Sequence, residues 1–162
     1  MTPVIIQATS EDARSISVLT GELLHEIMER IDVKAFRFNR EETEERAGEL
    51  LSRGVYYVFL AKEPGTGEKV GFLSLYESYA LYAEGAYGTI PELYVRPPYR
   101  SEGIGRQLLQ RARDFAVAKG WKRLEVTTPP LPQFDRTLVF YERNAFEISG
   151  GRKLKSDIEN VI

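Results

Sequence analysis

Glu92-Leu93-Tyr94-Val95-Arg96-Pro97-Pro98-Tyr99-Arg100-Ser101-Glu102-Gly103-Ile104-Gly105-Arg106 is the stretch that decides the fold. A β-prone run passes through a Pro-Pro loop into two glycines one residue apart. Ile104, Leu108, Leu109, Ala112, Phe115 and Ala116 then recur at helical spacing. This pattern predicts a helix over about residues 103–119, closed by Gly120. The first amides of such a helix have no intrahelical acceptor and sit at the positive end of its dipole. A strand–loop–helix junction of this kind can therefore hold a pyrophosphate without a metal. Glycine there lets the anion approach the backbone. The string is not Gly-x-x-x-x-Gly-Lys-Ser/Thr. It is not Gly-x-Gly-x-x-Gly either, because Leu108 stands at the third glycine's place. On spacing alone, a tight strand-to-helix turn explains the two glycines as well as a phosphate site does.

Upstream, Val4-Ile5-Ile6 reads as a first strand, and Ser10 offers a cap to a helix. Ala13, Ile16, Leu19, Leu23, Ile27 and Ile31 form one face of that helix, which Gly21 is placed to divide. Asn39 and Glu42 resemble a capping box opening a second helix that Gly54 closes. Residues 55–60 and 70–76 are β-branched and aromatic around a Pro64–Gly67 turn, which predicts a hairpin. Residues 89–95 form another strand. Downstream come a strand at 124–127, a short helix at 135–143, a strand at 146–148 and a final stretch at 153–158. The order β-α-α-β-β-β-α-β-α-β implies an α/β sandwich with a mixed sheet and a parallel crossover through the helix at 103–119.

The 162 residues suit a single domain, 1–162, with no repeat or dividing linker. Lys plus Arg number 22 against 24 Asp plus Glu, a net charge of −2, which speaks against a nucleic-acid partner or a polybasic membrane surface. The absence of Cys removes disulfides, thiolate metal sites and a cysteine nucleophile. With only His25, a His-rich metal site or a Ser-His-Asp triad is not expected. No apolar run is long enough to span a bilayer and no signal peptide is recognisable, so a cytoplasmic location is expected.

Val95 to Gly105 resembles the acetyl-coenzyme A signature of the GNAT N-acetyltransferase superfamily, Arg/Gln-x-x-Gly-x-Gly/Ala after a Leu-Tyr-Val strand. Phe140-Tyr141-Glu142-Arg143-Asn144-Ala145-Phe146 resembles that family's second signature, Phe-Tyr-Glu-x-x-Gly-Phe. The element order over nearly the whole chain is similar too. The resemblance implies a splayed sheet flanked by helices, with acetyl-coenzyme A as co-substrate and no metal. It implies that backbone groups of Arg100, Ser101, Glu102, Gly103, Ile104 and Gly105 hold the pyrophosphate. It also implies that the strand edge at Leu93, Tyr94 and Val95 holds the pantetheine arm, in a splay beside residues 124–127 that carries a β-bulge. Arg106 and Arg111 are candidates to reach the phosphates, against the simpler reading of solvated helix arginines.

Acetyl transfer to an amine with a pKa of about 10 requires a proton to leave before attack. Glu92 is the candidate base. Strand alternation puts Ile90, Glu92 and Tyr94 on one face, and an acid in an apolar strand is costly unless it serves a function or is paired. Glu77 and Glu84 are weaker alternatives, and an ion pair is the plain reading of Glu92. Tyr141 matches the family tyrosine that protonates the departing thiolate. The expected reaction is direct attack by a small-molecule or peptide amine in a ternary complex. A non-catalytic acyl-coenzyme A sensor is the alternative. His25 and the tyrosines 76, 79, 82 and 87 lie where acceptor contacts, an interface or core packing all fit. Polyamine, aminoglycoside, amino acid, peptide N-terminus and protein lysine are all open as acceptors, and a homodimer is favoured by resemblance. Two departures stand out. Phe134 and Thr137 occupy the usual Asn and Ala positions, and Ala145 replaces the usual Gly.

Overall fold

The computed structural model describes residues 2–160. In chain order it contains β1 (Val4–Gln7), α1 (Ala13–Ile31), α2 (Arg40–Ser52), β2 (Tyr57–Lys62), β3 (Lys69–Ser78), β4 (Tyr87–Ile90), β5 (Leu93–Val95), α3 (Ile104–Lys119), β6 (Leu124–Val126) and α4 (Asp135–Arg143). The sheet runs β1-β2-β3-β4-β6, with β5 paired to β3. Every pairing is antiparallel except β4 with β6, whose crossover is α3. The α/β sandwich with a mixed, open sheet is therefore as expected.

β3 is the spine. Val70 to Leu75 are buried without interruption, because each face of the strand lies under its own apolar layer. One layer joins Leu73, Leu75 and Ile90 to Leu108, Leu109 and Ala112 of α3. The other joins Phe72, Val58 and Leu60 to Ile16 and Leu19 of α1. Each such side chain contributes roughly 1.5–3 kcal/mol on burial. These layers dominate stability, whereas α2 buries no residue fully.

Several local expectations need correction. Gly21 does not divide α1. A Cβ there would lie 2.5 Å from the Phe38 ring, so the glycine makes room for the α1–α2 loop to fold back. Ser10 does not cap α1: it lies inside a short 3-10 turn, Ser10–Asp12, that leads into α1 and is capped by Thr9 in a capping box with Asp12. Residues 89–95 are two strands, not one. The expected strand at 146–148 does not form, and the final stretch at 153–158 is irregular until a short helical turn begins at Ile158. Ile148, Leu154 and Ile158 stand in solvent with no apolar face to cover them, and Gly150 and Gly151 turn the chain at positive φ between them. Among the described residues, no helix is long and apolar enough to cross a membrane.

Candidate active site

The break between β4 and β5 shapes the site. On β3, Leu73 pairs with Leu93 and Tyr76 with Thr89. β3 thus advances three residues while the facing chain advances four. The extra residue is a β-bulge at Pro91–Glu92, where proline supplies no N–H to the ladder. Because side chains alternate with a period of two, one added residue reverses the faces beyond it. Ile90 consequently joins the α3-side layer and Tyr94 the α1-side layer, so they do not share a face as simple alternation predicts.

Beyond the bulge the sheet parts. β4 continues onto β6, whereas β5 bonds only to β3. Arg96 N–H donates to the Val70 carbonyl at 2.8 Å, and Ser74 N–H to the Glu92 carbonyl at 3.0 Å. The antiparallel alternation therefore turns the backbone groups of Leu93 and Val95 outward, into the gap. Arg100 Nε takes the Val95 carbonyl at 2.8 Å. The rest of this edge is unpaired by strand.

At the gap's near end, the loop enters α3. Ser101 and Gly103 both have positive φ, at 66° and 83°. No atom lies within 4 Å of where a Gly103 Cβ would stand, and no side chain caps the helix. The first intrahelical bond runs from Gln107 N–H to the Gly103 carbonyl, leaving the amides of Ile104, Gly105 and Arg106 ahead of it. These features fit an anion approaching the backbone. Ile104 can offer only its amide, since its side chain is in the core. Gly105 has a packing role as well: a Cβ there would meet the Phe140 ring at 3.0 Å. Glu102 and Arg106 are exposed. Arg111 instead donates to the Ile5 carbonyl at 2.9 Å and covers Phe59, so it braces β1.

The loop's arginines are claimed by α1. Arg100 binds Glu26 at 2.6 Å. Arg96 grips Glu22 through Nε at 3.0 Å and through a second nitrogen at 2.9 Å, and reaches Glu68 at 2.6 Å. Glu22 and Glu26 are one helical turn apart and thus share a face.

Glu92 projects from the bulge on the α1 side. Its Oε1 accepts from Ser74 Oγ at 2.5 Å and from the Tyr56 hydroxyl. Burial first, then the charge of Glu92, pushes the Tyr56 hydroxyl far above its ordinary pKa, so it stays protonated and donates. Glu77, the alternative base, sits on the other face and accepts from Tyr79 and from Trp121 at 2.7 Å. Those donors hold its carboxyl below the usual range, which makes it a weaker base. Tyr56 and Ser74 were missed in the sequence. Ser74 did carry a signal, as a hydroxyl within the otherwise apolar β3, whereas Tyr56 just precedes β2 and carried none.

Tyr141 lies on the opposite, α3-side layer. It is 5% exposed and packed edge-on to Phe146. Burial raises its pKa. Its hydroxyl bonds to no described residue. Ala145 does adopt the positive φ, 67°, that the usual glycine would take. His25 is an exposed helix residue paired with Glu29 at 3.3 Å.

An acetyltransferase (GNAT) family model matches residues 23–146. The chain belongs to the GNAT family. It is accordingly an acyltransferase, of a family that uses acetyl-coenzyme A. It is 36% identical over 121 residues to an aminoalkylphosphonate N-acetyltransferase of Salmonella typhimurium, covering 75% of this chain and 71% of that protein. It is 29% identical over 150 residues to an uncharacterized N-acetyltransferase of Bacillus subtilis, covering 91% of each. An aminoglycoside N-acetyltransferase solved in complex with CoA superposes with a TM-score of 0.78 over 97% of this chain and 95% of its own, at 15% identity.

This GNAT chain departs from the family pattern at the far side of the gap. Phe134, where the family commonly has Asn, is 4% exposed, with the Arg30 guanidinium 5.1 Å from its ring centre. An apolar ring under an α1 arginine replaces an amide there. Among the described residues no cluster of His, Cys, Asp or Glu could hold a metal.

Proposed function

We propose that residues 1–162 form one catalytic domain that transfers the acetyl group of acetyl-coenzyme A to a primary amine by direct attack in a ternary complex. The reading rests on Glu92, a carboxylate fixed at the bulge by two hydroxyls, standing where the unpaired edge of β5 begins. Acetyl-coenzyme A, when bound, supplies the thioester. The outward groups of Leu93 and Val95 suit an amide-bearing arm laid along them, and the uncapped amides from Ile104 onward suit its pyrophosphate. Glu92 takes a proton from the ammonium. The amine nitrogen bonds the acetyl carbon and sheds its second proton to solvent as the carbon–sulfur bond breaks, and Tyr141 protonates the departing sulfur and regains its proton from solvent. The products are an N-acetyl amine and free thiol.

The family relative acting on aminoalkylphosphonates favours an amine on a short alkyl chain as acceptor. The test is thiol release from acetyl-coenzyme A with 2-aminoethylphosphonate, a polyamine, an aminoglycoside and a lysine peptide. One acetylated amine per thiol released, seen by mass, supports the proposal. Coenzyme A binding without transfer to any of these amines replaces it with the sensor reading.

A further inference from the structure

Four tyrosines, at positions 76, 79, 82 and 87, cluster in sequence between the hairpin and the bulge, and the structure sends them to different places. Tyr79 donates to Glu77, on the α3 side of the sheet. Tyr82 and Tyr87 flank the Arg123 guanidinium, at 5.6 and 4.9 Å. Tyr76 alone follows Ser74 by two residues on β3 and so shares its face. It stacks on Tyr56 with ring centres 6.4 Å apart and planes 16° from parallel. Tyr56 in turn donates to Glu92.

Tyr76 is 38% exposed, and its hydroxyl bonds to no described residue. One face of the Tyr76 ring is therefore backed by Tyr56, whose hydroxyl reaches the Glu92 carboxylate, and the residue is partly open. Tyr76 pairs with Thr89 immediately past the bulge, at the mouth of the gap between β5 and β6. Just beyond it on the same face, the hydroxyls of Ser78 and Thr89 bond each other at 2.6 Å.

We propose that the open face of Tyr76, backed by Tyr56, is the acceptor subsite, and that it binds a small protonated alkylamine whose ammonium reaches Glu92. The inference rests on the acyl-transfer reading of Glu92 above. An aromatic face attracts a cation through its quadrupole and also packs methylene groups, so one ring serves both ends of an alkylammonium. The carboxylate supplies the countercharge and then receives the proton. Such a wall favours amines on an apolar stem over amines embedded in a polar ring.

The test uses propylamine as acceptor and compares wild type with Tyr76→Ala and Tyr76→Phe. The KM for propylamine should rise roughly 3- to 30-fold in Tyr76→Ala, the span of a lost cation–π contact. The KM for acetyl-coenzyme A should move far less, and Tyr76→Phe, which keeps the ring, should recover most of the loss. An unchanged propylamine KM in a folded Tyr76→Ala overturns the subsite. So does an equal fall in affinity for both substrates, which is the mark of a structural role. Should the wild type bind acetyl-coenzyme A yet transfer nothing, the subsite is read without turnover by titrating propylammonium chloride and following NMR shifts. Shifts at Tyr56 and Glu92 that vanish in Tyr76→Ala support the subsite even though the transfer reading has failed. Their absence in the wild type overturns it.

Discussion

The Tyr56 hydroxyl donates to Oε1 of Glu92, the same oxygen that Ser74 Oγ reaches at 2.5 Å. Both donors thus converge on one carboxylate oxygen, and Oε2 bonds to no described residue. The carboxylate is fixed in direction and still has an oxygen free to take a proton.

Glu92→Gln keeps an oxygen for Tyr56 and Ser74 while removing proton acceptance, so the cluster should stay folded. If Glu92 is the base, kcat falls by up to about 10²–10⁴-fold. The loss is greatest at low pH and shrinks towards pH 10, where the amine loses its proton unaided. A pH–rate profile checks this. A constant drop at every pH would make Glu92 a positioning residue.

Alkaline stability follows from three tyrosines. Burial raises the hydroxyl pKa of Tyr56, Tyr94 and Tyr141, that of Tyr94 to about 12. In the unfolded chain all three ionise near the ordinary 10.0. Above that pH the native state holds more protons than the unfolded state, so stability falls as pH rises and is undiminished below it. For Tyr56 and Tyr141 the slope is at most about 1.4 kcal/mol per pH unit each. Urea midpoints at pH 9 and pH 11 measure it, with the lower midpoint expected at pH 11.

The helix at 104–119 and its glycine entry were legible because long amphipathic periodicity and glycine chemistry are local signals. A bulge near the splay was implied only by the family resemblance; its place at Pro91–Glu92 was not legible, because it is a mismatch in count between β3 and its neighbour rather than a property of either segment. That mismatch moved Ile90 off the face of Glu92 and cut residues 89–95 in two. The strand expected at 146–148 had β-like composition but found no edge, and a strand exists only with a partner. Glu92 was found because a charge in an apolar strand stands out. Its partner Tyr56, 36 positions away, does not, since a tyrosine beginning a buried strand is ordinary.

Gly103→Val probes the loop. Nothing lies within 4 Å of the missing Cβ, so the protein itself would not clash, although the positive φ of 83° makes any side chain strained. The new methyls would stand in the path of the proposed pyrophosphate to the helix amides. Losing a charge-assisted hydrogen bond of about 1.5–3 kcal/mol should weaken coenzyme A binding roughly 10- to 100-fold. Calorimetry on protein shown to be folded by circular dichroism is the check. Unchanged affinity would remove the pyrophosphate role.

Tyr141→Phe is the sharpest test of the mechanism. Its ring is packed in the α3-side layer against Phe146, and Phe keeps that packing. The hydroxyl has no described partner to lose, so the substitution removes a proton donor and little else. Burial raises the pKa of this phenol, so it is always protonated at working pH but is a weaker acid than a free tyrosine. The departing thiolate is itself a fair leaving group, since a thiol of this kind has a pKa of about 8.5. A phenol acting as the acid would therefore assist departure rather than enable it. The loss in kcat should lie at or below the range of about 10²–10⁴ seen for general acids, with acetyl-coenzyme A affinity nearly unchanged. A residue that only packs predicts turnover close to wild type. Stopped-flow measurement of thiol release, under conditions where chemistry limits the rate, separates the two, and a wild-type rate in Tyr141→Phe would end the acid assignment.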